Sequence, residues 1–140
     1  MLRRSLLVVA ISLFCLQTFQ AHAEELGDVV KGTWNWTCCK DGVYSGQIQI
    51  TDYNPAAPID SQLTGTFNGA GGGSIVGHVD GNRIHFRRTS SACEPGIGYQ
   101  DWVGTYDPSP RTISGTIDGC NVRSDPNIQG NNSFTMTKTP

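Results

Sequence analysis

A short glycine-centred pattern recurs six times along the chain and limits the folds that it can adopt. Each copy places a glycine two positions before an apolar residue: Gly32–Trp34, Gly46–Ile48, Gly65–Phe67, Gly77–Val79, Gly104–Tyr106 and Gly115–Ile117. Residues two positions apart lie on the same face of a strand. Glycine weakens a strand unless the strand bends or another backbone approaches it closely. Six such strands therefore predict strong curvature all round, as in a small closed barrel.

Period-two alternation predicts the strands themselves. No window after residue 23 keeps a helical period, whereas apolar and polar residues alternate between clusters of turn residues. The predicted strands are Gly32–Cys38, Tyr44–Thr51, Gln62–Asn68, Ser74–Val79, Arg83–Thr89, Gln100–Tyr106, Thr112–Asp118 and Asn132–Lys138. We expect an all-β, eight-stranded antiparallel up-and-down meander barrel, with a two-layer β-sandwich as the alternative.

One face of each predicted strand is apolar and the other is rich in Thr, Gln, Asn and Ser, as in an antiparallel sheet with one solvated face. Turn residues set the register, because Lys40-Asp41-Gly42 and Gly81-Asn82 fit tight hairpin loops. The inward-facing residues are Trp34, Trp36, Tyr44, Ile48, Ile50, Leu63, Phe67, Ile75, Val79, Ile84, Phe86, Trp102, Tyr106, Ile113, Ile117, Phe134 and Met136.

The N-terminus has the features of a secretory signal. Arg3 and Arg4 precede a mostly apolar run over residues 5–19, and Ala21-His22-Ala23 fits a cleavage site. The run is shorter than the roughly 20 apolar residues that a spanning helix needs. We therefore expect a cleaved signal peptide at 1–23 and a single β-barrel domain at 24–140. The mature protein would be secreted or periplasmic, with no membrane attachment.

Four cysteines remain after the predicted cleavage: Cys38, Cys39, Cys93 and Cys120. An even number of cysteines in an exported chain predicts disulfides. In an up-and-down meander all four fall at one rim, which we call the cysteine-bearing rim. Because Cys38 and Cys39 point to opposite faces, the prediction is that each pairs separately with Cys93 or Cys120. The alternative is a Cys38–Cys39 ring together with a Cys93–Cys120 bond.

The same rim carries the irregular loops, at residues 68–73, 90–99 and 119–131. Loops held on a rigid scaffold are common binding sites. We therefore expect the functional end of the barrel here.

Composition and motifs exclude several function classes. Charged residues make up 16% of the chain and the formal net charge is −2, so no basic patch is available for nucleic acid. His78 and His85 face each other across a predicted hairpin, but their parity places them on the solvated face, where two surface histidines need no metal. No nucleophile has a supporting motif. We expect no enzyme activity, no cofactor and no metal.

The pattern resembles the avidin and streptavidin group of secreted eight-stranded barrels. The similarity lies in four motifs: Gly32-Thr33-Trp34, Leu63-Thr64-Gly65-Thr66-Phe67, Trp102-Val103-Gly104-Thr105-Tyr106 and Asn132-Ser133-Phe134-Thr135. The resemblance implies a ligand at the cysteine-bearing rim. It does not imply biotin, because only Trp102 keeps the residue type of that group's biotin site. The other positions carry Phe67, Gly98, Gln100, Ile117 and Asn132.

Two functions follow from these patterns. The first is a non-enzymatic binding protein that takes a small, largely apolar ligand at the cysteine-bearing rim. Its candidate ligand-binding residues are Trp36, Tyr44, Phe67, Trp102 and Asn132. The second is a secreted inhibitor-type module that binds a protein partner through loops 90–99 and 119–131. Arg87 and Arg88 are assigned to the surface, where they suit an acidic partner or plain solvation.

Overall fold

The computed structural model describes residues 24–90, 93 and 98–140 as a closed antiparallel barrel. A one-turn helix, α1 (Leu26–Val29), precedes eight strands in chain order. These strands are β1 (Gly32–Cys38), β2 (Tyr44–Tyr53), β3 (Leu63–Asn68), β4 (Gly73–Asp80), β5 (Arg83–Thr89), β6 (Tyr99–Asp107), β7 (Thr112–Gly119) and β8 (Ser133–Lys138). Each strand pairs with the next, and β8 closes on β1. The predicted meander barrel is confirmed and the sandwich alternative is wrong. The signal predicted at 1–23 lies outside the described residues.

The hairpin registers follow the sequence prediction. Trp36 pairs with Gly46 across β1 and β2, and Val79 pairs with Ile84 across β4 and β5. Strand β2 runs two residues further than predicted, through a register shift between Ile50 and Asp52. An extra residue at such a shift bends the strand and increases its twist. This local bend adds to the curvature that closes the barrel.

The inward-facing side chains fill the middle of the barrel around Trp102. Its ring lies 4.7 Å from Phe134, 5.2 Å from Phe67, 5.5 Å from Phe86 and 5.6 Å from Trp36, measured between ring centroids. Edge-to-face and offset contacts at these distances add stability beyond the burial of apolar area. The central layer of the barrel is therefore packed core.

At four of the six glycines in the pattern, the neighbouring backbone approaches too closely for a side chain, whereas at Gly32 and Gly104 the nearest atom belongs to a side chain. A Cβ added at Gly46, Gly65 or Gly77 would lie 2.1 Å from a carbonyl oxygen of the adjacent strand. At Gly115 the corresponding distance is 1.9 Å, to the carbonyl oxygen of Val103. At these four positions the glycine therefore meets a steric requirement of the closed sheet, which is one of the two reasons for strand glycines that the sequence interpretation used.

The chain before β1 closes the barrel end opposite the cysteines, which the sequence pattern did not indicate. Leu26 and Val30 are completely buried there, and the Trp34 indole Nε1 donates to the Val30 carbonyl at 2.8 Å. The Tyr106 hydroxyl donates to the Glu24 carboxylate at 2.6 Å. Burial and this contact raise the pKa of Tyr106 to about 12.

Among the described residues, none of the helices has the length and apolar character that a membrane-spanning helix requires.

The disulfides follow the alternative pairing. Cys38 bonds to the adjacent Cys39, and Cys93 bonds to Cys120. The prediction that Cys38 and Cys39 pair separately with Cys93 and Cys120 is wrong. Cys39 adopts φ 78°, which turns its side chain back toward its neighbour at the end of β1. The alternation of side chains between the two faces applies only within a strand. Because β1 ends at Cys38, this alternation does not predict the direction of the Cys39 side chain.

Replacing Gly115 with alanine should destabilise the barrel by about 2 kcal/mol or more, because the new Cβ must displace backbone atoms of β6. Gly98→Ala is the matched control, since a Cβ at Gly98 meets none of the described residues within 4 Å. Urea denaturation of both variants measures the difference. Equal stability of the two variants would contradict the steric role of Gly115.

The two disulfides should contribute unequally to stability. Cys93 and Cys120 are 27 residues apart, so replacing both with serine should lower the free energy of unfolding by about 3 kcal/mol. Replacing Cys38 and Cys39 together with alanine should cost less, because a bond between neighbours barely restricts the unfolded chain. Denaturant titration measures both losses. Peptide mapping without reduction checks the pairing, which is overturned if a peptide holding Cys38 is linked to one holding Cys93 or Cys120.

Candidate functional site

A cavity of about 180 Å³ opens at the cysteine-bearing rim, above the packed central layer. Trp36, Trp102 and Ile117 supply its apolar wall from β1, β6 and β7. Each of these side chains faces inward because it has the inward parity of its strand. A cavity of about 150 Å³ lined by apolar side chains can hold benzene. The space at this rim therefore fits a single ring with a small substituent.

Arg88 lies inside the barrel at this cavity, contrary to its assignment to the surface. It is 5% exposed, and it shares the inward parity of Ile84 and Phe86 on β5. Its neighbour Arg87 points outward and pairs with Asp101, with 2.9 Å between Nε and Oδ1. The surface assignment is therefore correct for Arg87 and wrong for Arg88. Strand parity was the signal that separates the two.

Neutral oxygens hold the Arg88 guanidinium in place. Nε donates to the Gly72 carbonyl at 2.9 Å, and Nη2 donates to the carbonyls of Gly72 and Ala70. Nη1 donates to Gln100 Oε1 at 3.0 Å, and the Phe67 ring centroid lies 3.9 Å from Cζ. The loop at residues 69–72 therefore folds over the arginine and presents its carbonyl groups to it.

Gln100 connects this cluster to the rest of the rim. Its Oε1 accepts from Arg88 and, at 3.4 Å, from Trp102 Nε1. Its Nε2 donates to the Cys120 carbonyl at 2.9 Å. Gln100 is 5% exposed, and a buried amide of this kind is stable when both of its ends are hydrogen-bonded. The Cys93–Cys120 bond thus lies next to the polar end of the cavity.

Arg88 brings a buried positive charge to a cavity whose lining also holds the Asp125 carboxylate. Desolvation by burial lowers the pKa of Arg88 to about 10, so the side chain is still protonated at neutral pH. None of the ion pairs among the described residues involves Arg88. Buried charges in proteins are usually paired with an opposite charge or coordinate a metal ion. Arg88 is therefore the chemically distinctive group of this site.

Tyr44 and Asp125 form the outer edge of the cavity. The Tyr44 hydroxyl donates to Asp125 Oδ2, and the backbone N–H of Asn127 donates to Oδ1 at 2.8 Å. The Tyr44 hydrogen bond is the largest cause that lowers the pKa of Asp125 below its ordinary value. Lys40 N donates to the Asn127 carbonyl at 2.9 Å, and Ile128 is buried against the cavity. The 119–131 loop is thus tied back onto the barrel.

The predicted ligand-binding residues fall into three groups. Trp36, Tyr44 and Trp102 line the cavity. Phe67 lies one layer deeper, against Arg88 and Trp102. Asn132 donates its amide to the Ile117 carbonyl at 2.7 Å and does not line this cavity. The sequence interpretation missed Arg88, Gln100 and Asp125 as cavity residues, because it sought an aromatic pocket for an apolar ligand.

The histidine pair is a separate feature on the outer face of the barrel. His78 and His85 pair across β4 and β5, with ring centroids 5.2 Å apart, as predicted. Nε2 of His85 lies 3.6 Å from Oδ1 of Asp101. Among the residues that the structure describes, no group of three or more His, Cys, Asp or Glu side chains could hold a metal ion. This face therefore supplies no support for a metal centre.

Comparisons of the chain with protein families, with curated proteins and with solved structures find no match. The geometry of the cavity is therefore the basis for assigning a function.

Tyr44→Phe should lower the free energy of unfolding by about 1 kcal/mol at pH 7, because it removes one partly buried hydrogen bond to a carboxylate. A lowered folded-state pKa of Asp125 stabilises the protein above the ordinary carboxyl pKa, and this contribution is lost as the pH falls through the lowered value. The difference in free energy of unfolding between Tyr44→Phe and the unmodified protein should therefore be smaller at about pH 3 than at pH 7.

Denaturant titrations at both pH values measure this effect. Tyr99→Phe is the control, since the Tyr99 ring packs under Arg87 and no hydrogen bond of its hydroxyl is seen among the described residues. A Tyr44→Phe cost that grows on acidification would contradict the assigned hydrogen bond.

Proposed function

We propose that this chain is a secreted or periplasmic, non-enzymatic binding protein that holds a small molecule in the cavity at the cysteine-bearing rim. The observation that carries the proposal is the cavity itself. The barrel is packed at its centre and closed by Leu26 and Val30 at one end, whereas about 180 Å³ stays open at the other. Ligand sites combine apolar walls with a few fixed polar groups, and this cavity has both.

The rim is built so that a ligand meets a preformed site. Gln100 and the Cys93–Cys120 bond hold one side of the mouth, and the Tyr44–Asp125 contact holds the other. A preformed site loses less conformational entropy on binding than a mobile one. Two disulfides also suit an oxidising compartment, which supports export of the chain. The eight-stranded meander is the fold that the avidin resemblance implies, and the resemblance supports a ligand at this mouth.

The polar groups at the cavity favour binding over catalysis. Asp125 already accepts two hydrogen bonds, and Arg88 and Gln100 hold each other. Cys38 is oxidised, so it offers no thiolate for nucleophilic attack. Groups engaged in this way orient a ligand well but are poorly placed to exchange protons with it.

The inhibitor alternative has weaker support. A reactive or contact loop should stand away from the barrel, whereas the 119–131 loop is tied down through Asp125 and Asn127 and buries Ile128. Most of the 90–99 loop lies outside the described residues. The small-molecule hypothesis is therefore supported by the cavity, whereas no described loop supports the inhibitor hypothesis.

Tryptophan fluorescence tests the proposed function, because Trp36 and Trp102 both line the cavity. A panel of single-ring compounds should include some that change the emission and raise the melting temperature. Ile128→Ala should weaken the binding of those compounds by about tenfold, because apolar wall area is lost. Ile59→Ala is the matched control, since Ile59 is exposed on a 3₁₀ turn outside the cavity lining. No response to any compound, or equal losses in both variants, would refute the site.

A further inference from the structure

We propose that the ligand is a small organic carboxylate with a single planar ring, and that its carboxylate binds the buried guanidinium of Arg88. This inference rests on the proposed function and adds the chemical class of the ligand. It assigns to Arg88 the role of anion anchor. The apolar wall of the cavity then receives the ring.

The first argument is the cost of the buried charge. Arg88 is 5% exposed and carries a full positive charge into the barrel interior. Removing a charge from water is strongly unfavourable unless a counter-charge or excellent hydrogen bonds compensate it. Among the described residues, the Arg88 guanidinium donates only to neutral acceptors: the carbonyls of Ala70 and Gly72, and the side-chain amide oxygen of Gln100. A carboxylate ligand would supply an opposite charge that none of the described residues places in an ion pair with Arg88.

The second argument is the count of donors. A guanidinium has five N–H groups, and Arg88 makes four hydrogen bonds through Nε, Nη1 and Nη2. Nη1 makes one of these four, to Gln100 Oε1. One Nη1–H is therefore unused by the described residues. Because Arg88 lines the cavity, a ligand oxygen can take that donor without breaking the bonds that hold the arginine.

The third argument is the neighbourhood of the charge. Trp36, Trp102 and Ile117 line the same cavity, and they favour a flat apolar body next to the anionic group. The cavity of about 180 Å³ limits that body to a single ring, given that about 150 Å³ suffices for benzene.

The charge at the outer edge does not favour a cation. The Asp125 carboxylate accepts the Tyr44 hydroxyl and the Asn127 N–H, and the Tyr44 contact helps to keep it ionised at low pH. Its negative charge is therefore satisfied by donors of the protein itself, whereas the charge of Arg88 is not matched by any described carboxylate. An amino group on the ligand would add a contact at the edge but is not required by the site.

Three probes of nearly equal shape test the ligand class: benzoate, benzamide and benzylamine. Binding to the full mature protein is followed by tryptophan fluorescence and by calorimetry at pH 7 and constant ionic strength. Benzoate should bind at least about tenfold more tightly than benzamide, because a hydrogen bond between two charged groups is stronger than one to a neutral group. Benzylamine should bind most weakly.

Paired variants then test Arg88 itself. Arg88→Met removes the charge and keeps an unbranched apolar chain, and it should abolish the preference for benzoate while benzamide still binds. Arg88→Lys should keep part of the preference. Arg87→Met is the matched control, because Arg87 is the next residue in β5 but points outward to Asp101. It should leave the preference unchanged. Thermal melts establish that each variant is folded.

The outcomes separate this inference from the function on which it rests. If none of the three probes binds and the wider panel is also silent, the proposed function fails. If benzamide or benzylamine binds as tightly as benzoate to the unmodified protein, the function stands and the anion anchor is refuted. The same holds if Arg87→Met reduces the preference as much as Arg88→Met. Should Arg88→Met fail to fold, the comparison of probes on the unmodified protein and on Arg88→Lys still decides.

Discussion

The close approach of neighbouring strand backbones is the constraint on which the rest of this structure depends. A side chain at Gly65, Gly77 or Gly115 would collide with a carbonyl oxygen of the adjacent strand, so the barrel closes only where these residues are glycines. Within the barrel that these close approaches define, large aromatic rings pack around Trp102. The alternation that places the glycines on the inner face also places the aromatic side chains there.

The packed centre separates the two ends of the barrel, one of which is closed by apolar side chains while the other holds an open cavity. At one end the chain before β1 supplies its own apolar plug, with Leu26 and Val30 completely buried. At the other end the inner position of β5 is Arg88, where an aliphatic residue would have completed the core. Placing a charge there is unfavourable by several kcal/mol unless it gains partners. The carbonyls of the 69–72 loop and Gln100 supply them, which explains why this loop folds inward.

The strands and their register could be predicted because alternation, turn residues and glycine positions all pointed to one arrangement. Features outside that periodicity could not. The plug before β1 lies in a short segment without strand alternation, and Cys39 leaves the parity of β1 through a positive φ. The inward direction of Arg88 could have been predicted, because Arg88 lies two residues after the inward-facing Phe86 in β5. The sequence interpretation placed Arg88 on the surface because its side chain is charged. Asp125 becomes a cavity residue only through its contact with Tyr44, which joins positions far apart in the chain.

The same contacts explain why the mouth of the barrel can stay open without collapsing. Trp36 and Trp102 line this cavity, yet each residue is only 1% exposed, so the surrounding loops must shelter them without filling the space. Here the Cys93–Cys120 bond anchors one side, and Gln100 links it to Arg88 through the Cys120 carbonyl. The loops are thus attached to the barrel wall through polar groups, and the 119–131 loop adds the apolar side chain of Ile128 to the cavity lining. A barrel of this size keeps an open cavity by hydrogen-bonding its rim while it packs its centre.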